Sequence, residues 1–170
     1  MNTVGTTDVA SGAGVDEGAL VAQLTREALE EAAPEEIDVF EKDAAGWLAG
    51  THVAGQAEDD MVGFGVETVA VLLTPYVIAA AKAAVRYVAD VLAESADAEV
   101  RPRIIRWMQH LLGHHAEADA AGTTVVGLPL DVVTRVKQET LRTCLDMGLD
   151  ETDAALVSDA VAGRLAVPGP

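Results

Sequence analysis

Apolar residues recur every three or four positions along most of this chain, which is the spacing of one buried face of an α-helix. Asp16 is a good N-cap for a first helix that extends to about Ala33. Pro34 suits the first position of a second helix, and the acids that follow it suit the positive end of the helix dipole. The predicted buried faces of the two helices are Leu20, Val21, Leu24 and Ala28, and then Ile37, Phe40, Ala44, Trp47 and Leu48.

The longest apolar stretch covers residues 61–93, and its charged residues are Glu67, Lys82, Arg86 and Asp90. Thr74 and Pro75, within this stretch, are typical of a helix cap and of the first helical residue. The three charged positions that follow are spaced four apart, so they lie on one narrow stripe of the helix. A helix with so thin a polar stripe is buried around most of its circumference. We therefore predict a central core helix over about residues 75–93.

Turn residues and helix breakers divide the rest of the chain. Residues 1–15, rich in Gly, Thr, Ser and Ala, are expected to form a disordered tail. Residues 46–60 and 116–127 are predicted loops, and a polar break at 95–100 precedes a helix with a buried face of Ile104, Ile105, Met108, Leu111 and Leu112. Pro129 and Asp131 begin a further helix, Gly148 ends it, and a last helix begins at Asp150 and Asp153 and stops at Pro168.

These elements predict an all-α fold, a single-domain bundle of six or seven helices around the central apolar helix. The domain is expected to cover residues 16–167, with a C-terminal helix pair at 129–166. Residues 66–73 could also form a strand, but no second clear strand is available to pair with them, so we favour a helix. Aromatic residues make up only 4% of the chain, so small aliphatic side chains fill the core and let the helices approach closely.

The charge of the chain narrows the range of partners. Its formal net charge is -17, whereas binding to nucleic acid depends on Lys and Arg that neutralise phosphates. An anionic membrane surface is disfavoured for the same reason. The uncharged stretch at 68–81 is short for a membrane span and contains Pro75. The first residues lack the basic and apolar regions of a secretory signal, so we expect a cytoplasmic protein.

One short segment departs from the acidity of the chain. Arg101, Arg103 and Arg106 follow one another closely in RPRIIRWMQHLLGHH, on a predicted helix. Either they pair with the surplus carboxylates, or they form a docking patch for an acidic partner or an anionic ligand. Trp107 beside them is either a packing residue or an interface anchor.

Candidates for catalysis and metal binding are sparse. His110 and His114 share a helical face if the helix continues through Gly113, and two such histidines can be metal ligands. A third ligand would have to come from elsewhere, and we predict no bound metal and no cofactor. Glu67 is the lone carboxylate of the most apolar region, and its burial would raise its pKa. Cys144, the single cysteine, is expected to be buried as a small hydrophobic residue.

The sequence favours a non-catalytic helical module for protein–protein interaction, a small subunit or adaptor of a bacterial complex. Its contact residues are predicted to be Arg101, Arg103, Arg106 and Trp107, with a protein as the partner. A second copy of the chain could also complete the core, which leaves a homo-oligomer open. The alternatives are a membrane-active effector that uses the apolar segment 61–81, and a metal-dependent enzyme that uses His110 and His114.

Overall fold

The computed structural model describes residues 16–51, 72–113 and 127–166. Within these ranges all regular secondary structure is helical and no strand is present, so the predicted all-α bundle is confirmed. A short 3-10 helix, Pro34–Glu36, separates the first α-helix from the second. The seven α-helices are α1 (Glu17–Ala32), α2 (Ile37–Lys42), α3 (Ala44–Ala49), α4 (Thr74–Glu94), α5 (Val100–Leu111), α6 (Leu130–Asp146) and α7 (Glu151–Ala166).

Helix α4 is the central element, as the sequence predicts. It packs against α1, α6 and α7 and also contacts α3 and α5. Its core face consists largely of small side chains, which allow close helix approach, and includes Val77, Ala80, Ala81, Ala84 and Val88. On the predicted polar stripe, Arg86 and Asp90 are exposed, while Lys82 is half-buried.

Local capping begins and ends the helices largely where the sequence indicates. The Asp16 carboxylate accepts hydrogen bonds from the backbone N–H groups of Gly18 at 2.9 Å and Ala19 at 3.2 Å, and so caps α1. Gly148, with a φ of 90°, lies just after α6 in the left-handed conformation that favours glycine. The Asp150 carboxylate then accepts from the N–H of Thr152 at 2.9 Å and begins α7.

The second predicted helix is not continuous, which corrects the sequence interpretation. Asp43 takes an extended φ of -148°, and its side chain accepts from the Gly46 N–H at 3.0 Å, so the chain stops α2 and begins α3 at this residue. Residues 46–49, predicted as the start of a loop, are helical, and Gly50 with a φ of 73° ends α3. The rest of that loop from residue 52, the expected tail at 1–15, the segment 61–71, the loop residues 116–126 and Pro168 lie outside the described residues.

The first turn of α4 is capped by a residue distant in the sequence. Glu36 is 8% exposed, and one of its carboxylate oxygens accepts from the Leu73 N–H at 2.8 Å. The other accepts from both the backbone N–H and the hydroxyl of Thr74, each at 2.7 Å. The first N–H groups of a helix have no intrahelical acceptor, so a buried carboxylate here satisfies them and adds negative charge at the positive end of the dipole. Glu36 thereby attaches the 3-10 helix to the central helix.

Two carbonyl groups in the last turn of α7 accept hydrogen bonds from other segments of the chain. The Leu165 carbonyl accepts from the Leu128 N–H at 2.9 Å, and the Arg164 carbonyl accepts from Trp107 Nε1 at 3.4 Å. The Arg164 side chain in turn lies 3.7 Å from the Glu31 carboxylate on α1. These contacts bring α1, α5 and the segment before α6 together at one end of α7.

Candidate partner-binding surface

Helix α5 has one buried and one exposed side. Ile104, Trp107, Met108 and Leu111 are buried, at positions that fit a single helical face. The prediction for Ile104, Met108 and Leu111 is confirmed, while Ile105 and Leu112 are half-buried at the edge of that face. The buried side contacts α1 and α4. The three arginines Arg101, Arg103 and Arg106 are exposed.

Trp107 does not share the environment of the neighbouring arginines. It is 1% exposed and is among the largest fully buried side chains of the described residues. Its ring nitrogen donates to the Arg164 carbonyl, which satisfies the polar atom that a buried tryptophan carries. The structure therefore assigns Trp107 to the protein's own core and leaves the three arginines as the exposed part of the predicted contact set.

Among the described residues, the arginines of α5 are not paired with carboxylates. All 11 Lys and Arg residues lie within the described ranges. Ion pairs involve Arg26 with Glu30 and Glu41, Lys137 with Asp159, Arg142 with Asp146, and Arg164 with Glu31. In the same part of the chain, none of the three α5 arginines forms an ion pair or a side-chain hydrogen bond. The sequence left two interpretations of these arginines open. The first, pairing with the surplus carboxylates, is not observed among the described residues.

The spacing of the arginines places them on two sides of α5. An α-helix turns about 100° per residue, so Arg103 and Arg106 lie within about 60° of each other on one flank. His110, half-buried, follows on the same flank one turn further along. Arg101 lies about 160° from Arg103 around the axis, on the other flank. The sequence reasoning treated the three as one patch, although the spacing of two between Arg101 and Arg103 already indicates opposite sides.

The charges at the start of α5 oppose the helix dipole. Arg101 and Arg103 lie in or next to the first turn, which contains no acidic residue. By contrast, the first turns of α1 and α7 contain Glu17 and Glu151, respectively. Cations near a helix N-terminus are unfavourable, each by about 0.3–1 kcal/mol at exposed sites. The local electrostatics of α5 are therefore not arranged for maximal stability.

The helical arrangement expected for the histidine pair required α5 to continue through Gly113. Helix α5 ends at Leu111, and Gly113 has a φ of 70°. His114 lies outside the described residues, so the pair itself stays untested. The described ranges contain no group of three or more His, Cys, Asp or Glu side chains suited to hold a metal ion.

Two further candidates from the sequence have different outcomes. Cys144 is fully buried on α6, as predicted, and burial raises the pKa of its thiol to about 11. A thiol with so high a pKa stays protonated at neutral pH and is a poor nucleophile. Glu67 lies outside the described residues.

The apolar segment proposed for membrane activity is partly visible. Its described portion begins α4, where Thr74, Val77, Ile78, Ala80 and Ala81 are buried in the bundle. Among the described residues, no helix is both long and apolar enough to cross a membrane.

The exposed side of α5 is the remaining candidate for a partner-binding surface. Guanidinium groups stay protonated and donate several hydrogen bonds in a planar fork, so they can bind and orient a carboxylate or a phosphate. Comparison of the chain with protein-family models, with curated proteins and with solved structures gave no match.

Proposed function

We propose that this chain is a non-catalytic helical interaction module, a small subunit or adaptor of a bacterial complex, that docks a protein partner through the arginines of α5. The observation that carries the proposal is the exposure of Arg101, Arg103 and Arg106 without an ion-pair partner among the described residues, in a chain of net charge -17. The bacterial assignment rests on composition alone, namely abundant Ala, Val and Gly and more Arg than Lys.

The docking mechanism is electrostatic steering followed by local pairing. At physiological ionic strength the Debye length is about 8 Å, so an approaching group at α5 responds mainly to the nearest charges. No acidic residue occurs between residues 100 and 116, which makes α5 a locally basic surface on an acidic protein. Complementary charge of this kind raises the association rate and fixes orientation more than it raises affinity.

The position of Arg101 and Arg103 at the N-terminus of α5 also supports an acidic partner surface. A partner that supplies carboxylates next to Arg101 and Arg103 would offset the unfavourable placement of these cations at the helix N-terminus. In the free protein the first turn of α5 contains no acid, and the nearest carboxylates at this end are those of Asp97 and the N-cap residue Glu99, which offset only part of the cost. Binding would therefore relieve a local electrostatic cost in addition to forming new ion pairs.

The test compares two triple charge reversals that change the net charge equally. The first is R101E/R103E/R106E, on α5. The matched control is K42E/R86E/R135E, which reverses three exposed cations that form no ion pair in the described ranges and lie on α2, α4 and α6. The tagged wild-type chain is first used to isolate and identify a partner from the source cells. The dissociation constant of the purified partner is then measured for all three proteins at low and moderate salt.

We expect the α5 variant to weaken binding by at least about tenfold and to lose most of the salt dependence of association. The control should change both quantities much less. If both variants bind the purified partner as the wild type does, or lose affinity equally, the α5 surface is not the docking site. A native mass spectrum of the purified chain provides a second test, because a retained metal ion or small ligand would contradict a non-catalytic module.

A further inference from the structure

The chemistry of the partner's contact segment follows from three properties of α5: which arginines share a flank, how far the basic surface extends, and what surrounds it. The inference rests on the proposed function, since it names the chemistry of the partner that this surface would dock. It concerns mainly Arg103 and Arg106, because Arg101 projects from the other flank of the helix.

The basic flank is short. From Arg103 to His110 it extends over two turns of helix, or about 10 Å at a rise of 1.5 Å per residue. Asp97 and Glu99, both exposed, lie in the segment directly before α5. The other side of α5 is packed into the core through Ile104, Met108 and Leu111. The cationic surface is therefore bounded by acids at one end and by the bundle along its side.

A bounded surface of this size disfavours extended polyanions. Duplex DNA carries one charge per about 1.7 Å of its axis, so a duplex longer than the flank would extend over Asp97 and Glu99 at the start of α5. An anionic bilayer would face the same repulsion over a larger area. A short acidic segment of a protein fits within the basic flank without meeting those carboxylates.

The spacing of the two arginines matches the spacing of side chains along a partner helix. Residues three apart on a helix have Cβ atoms about 5–6 Å from each other. Two carboxylates on a partner helix, three or four residues apart, have the same separation, so each can pair with one guanidinium. Both basic residues are arginines, whose planar forks match carboxylates in a way that lysine does not.

The net charge of the whole chain limits which proteins can be the partner. At -17, the protein disfavours the approach of partners that are acidic overall, a second copy of itself included, although this long-range repulsion is screened beyond about 8 Å at physiological ionic strength. We infer that the α5 flank of Arg103 and Arg106 binds a helix of another protein, one of neutral or positive net charge, through two carboxylates one helical turn apart.

The experiment uses three probes and the ¹⁵N-labelled full chain. The first probe is an alanine-based helical peptide of zero net charge with two glutamates four residues apart and its lysines on the opposite face. The second has the same composition, but its glutamates are two residues apart and so lie on opposite sides of the helix. The third is a short single-stranded oligodeoxythymidine. Chemical shifts of the backbone amides and arginine Nε–H groups report the site and the dissociation constant even when binding is weak.

We expect the first peptide to shift the signals of α5 and to bind about two- to fivefold more tightly than the second, since one additional exposed ion pair contributes modestly. R103E/R106E should abolish this binding, whereas R101E should leave most of it and R135E nearly all. Equal binding of the two peptides would overturn the spacing argument while leaving the docking surface intact. Preferential binding of the oligonucleotide at these arginines, or no binding of either peptide, would overturn the inference. The proposed function is judged separately, by the triple reversals against the purified partner.

Discussion

Replacement of Glu36 tests the tertiary packing of this bundle most directly. The substitution Glu36→Gln keeps the size of the side chain but removes its charge and one of its two acceptor oxygens. The amide group would then face N–H or O–H donors, because Glu36 accepts three hydrogen bonds from Leu73 and Thr74. Glu35→Gln is the matched control, since it makes the same chemical change at an exposed neighbour in the same 3-10 helix.

The magnitude can be estimated from the three contacts. Leu73 is 8% exposed and Thr74 is fully buried, so water does not readily replace a lost acceptor. A hydrogen bond to a charged group contributes about 1.5–3 kcal/mol, and an unsatisfied buried donor costs about 1–3 kcal/mol. Loss of the favourable charge–dipole interaction adds about 0.3–2 kcal/mol, while removing the desolvation cost of a buried charge offsets part of the total. We therefore expect a net loss of about 2–4 kcal/mol.

Equilibrium unfolding in urea, followed by far-ultraviolet circular dichroism, measures this loss. E36Q should lower the midpoint at an unchanged slope, and its melting temperature should fall by about 2–4 °C per kcal/mol. E35Q should remain within about 0.5 kcal/mol of the wild type. A double-mutant cycle with Thr74→Val should show coupling between the two side chains. If E36Q and E35Q unfold at the same urea concentration, the buried carboxylate does not stabilise α4 and the reasoning fails.

Three other predictions concern single positions. Gly163→Ala should stabilise the protein by about 0.5–1 kcal/mol, since a Cβ there meets nothing nearer than 3.9 Å and alanine favours a helix. Gly127→Ala should destabilise the protein, because its Cβ would collide with the Ala166 carbonyl. Equal effects of the two substitutions in urea unfolding would contradict this contrast. Cys144, with a pKa of about 11, should resist a thiol reagent at pH 7 in the native state and react promptly in urea; fast native labelling would refute its burial. Hydrogen bonds from the backbone, chiefly from the Asp153 N–H, lower the pKa of Asp150, so its contribution should be present above the unfolded-state pKa of about 3.9 and be lost as the pH falls through the lower folded-state value. The stability difference between wild type and Asp150→Asn should therefore shrink on acidification, and a constant difference from pH 7 to pH 2 would contradict it.

The helices themselves depend on signals that lie close together in the sequence. The Asp16 and Asp150 caps and the Gly148 end each involve residues within about four positions, so local chemistry predicts them. The central helix is predicted by a narrow stripe of charged residues in an otherwise apolar segment. The break at Asp43 was missed because the apolar period continues from α2 into α3, although the Asp43 cap is itself a local contact.

The candidate surface was partly predictable in the same way. The spacing of Ile104, Trp107, Met108 and Leu111 is that of one helical face, so the burial of Trp107 could have been inferred from the pattern. The exposure of the arginines follows from the same periodicity. Their lack of ion-pair partners within the described part of the chain does not follow from it, because an ion pair depends on which distant carboxylate the fold brings near.

What the sequence by itself determined is most of the helices, most of their buried faces and the locally basic character of α5. Only the tertiary structure decided how the helix ends without a local cap are satisfied. Glu36 caps α4 across 38 residues, the Lys82 ammonium donates to the Leu48 carbonyl across 34, and Trp107 reaches the Arg164 carbonyl across 57. Each contact joins groups that become neighbours only when the helices pack. No periodicity or local propensity encodes such pairs, since any of the 28 acidic side chains could in principle have capped α4. The packing of α1 against α4 places one of them, Glu36, next to buried N–H groups at the start of α4.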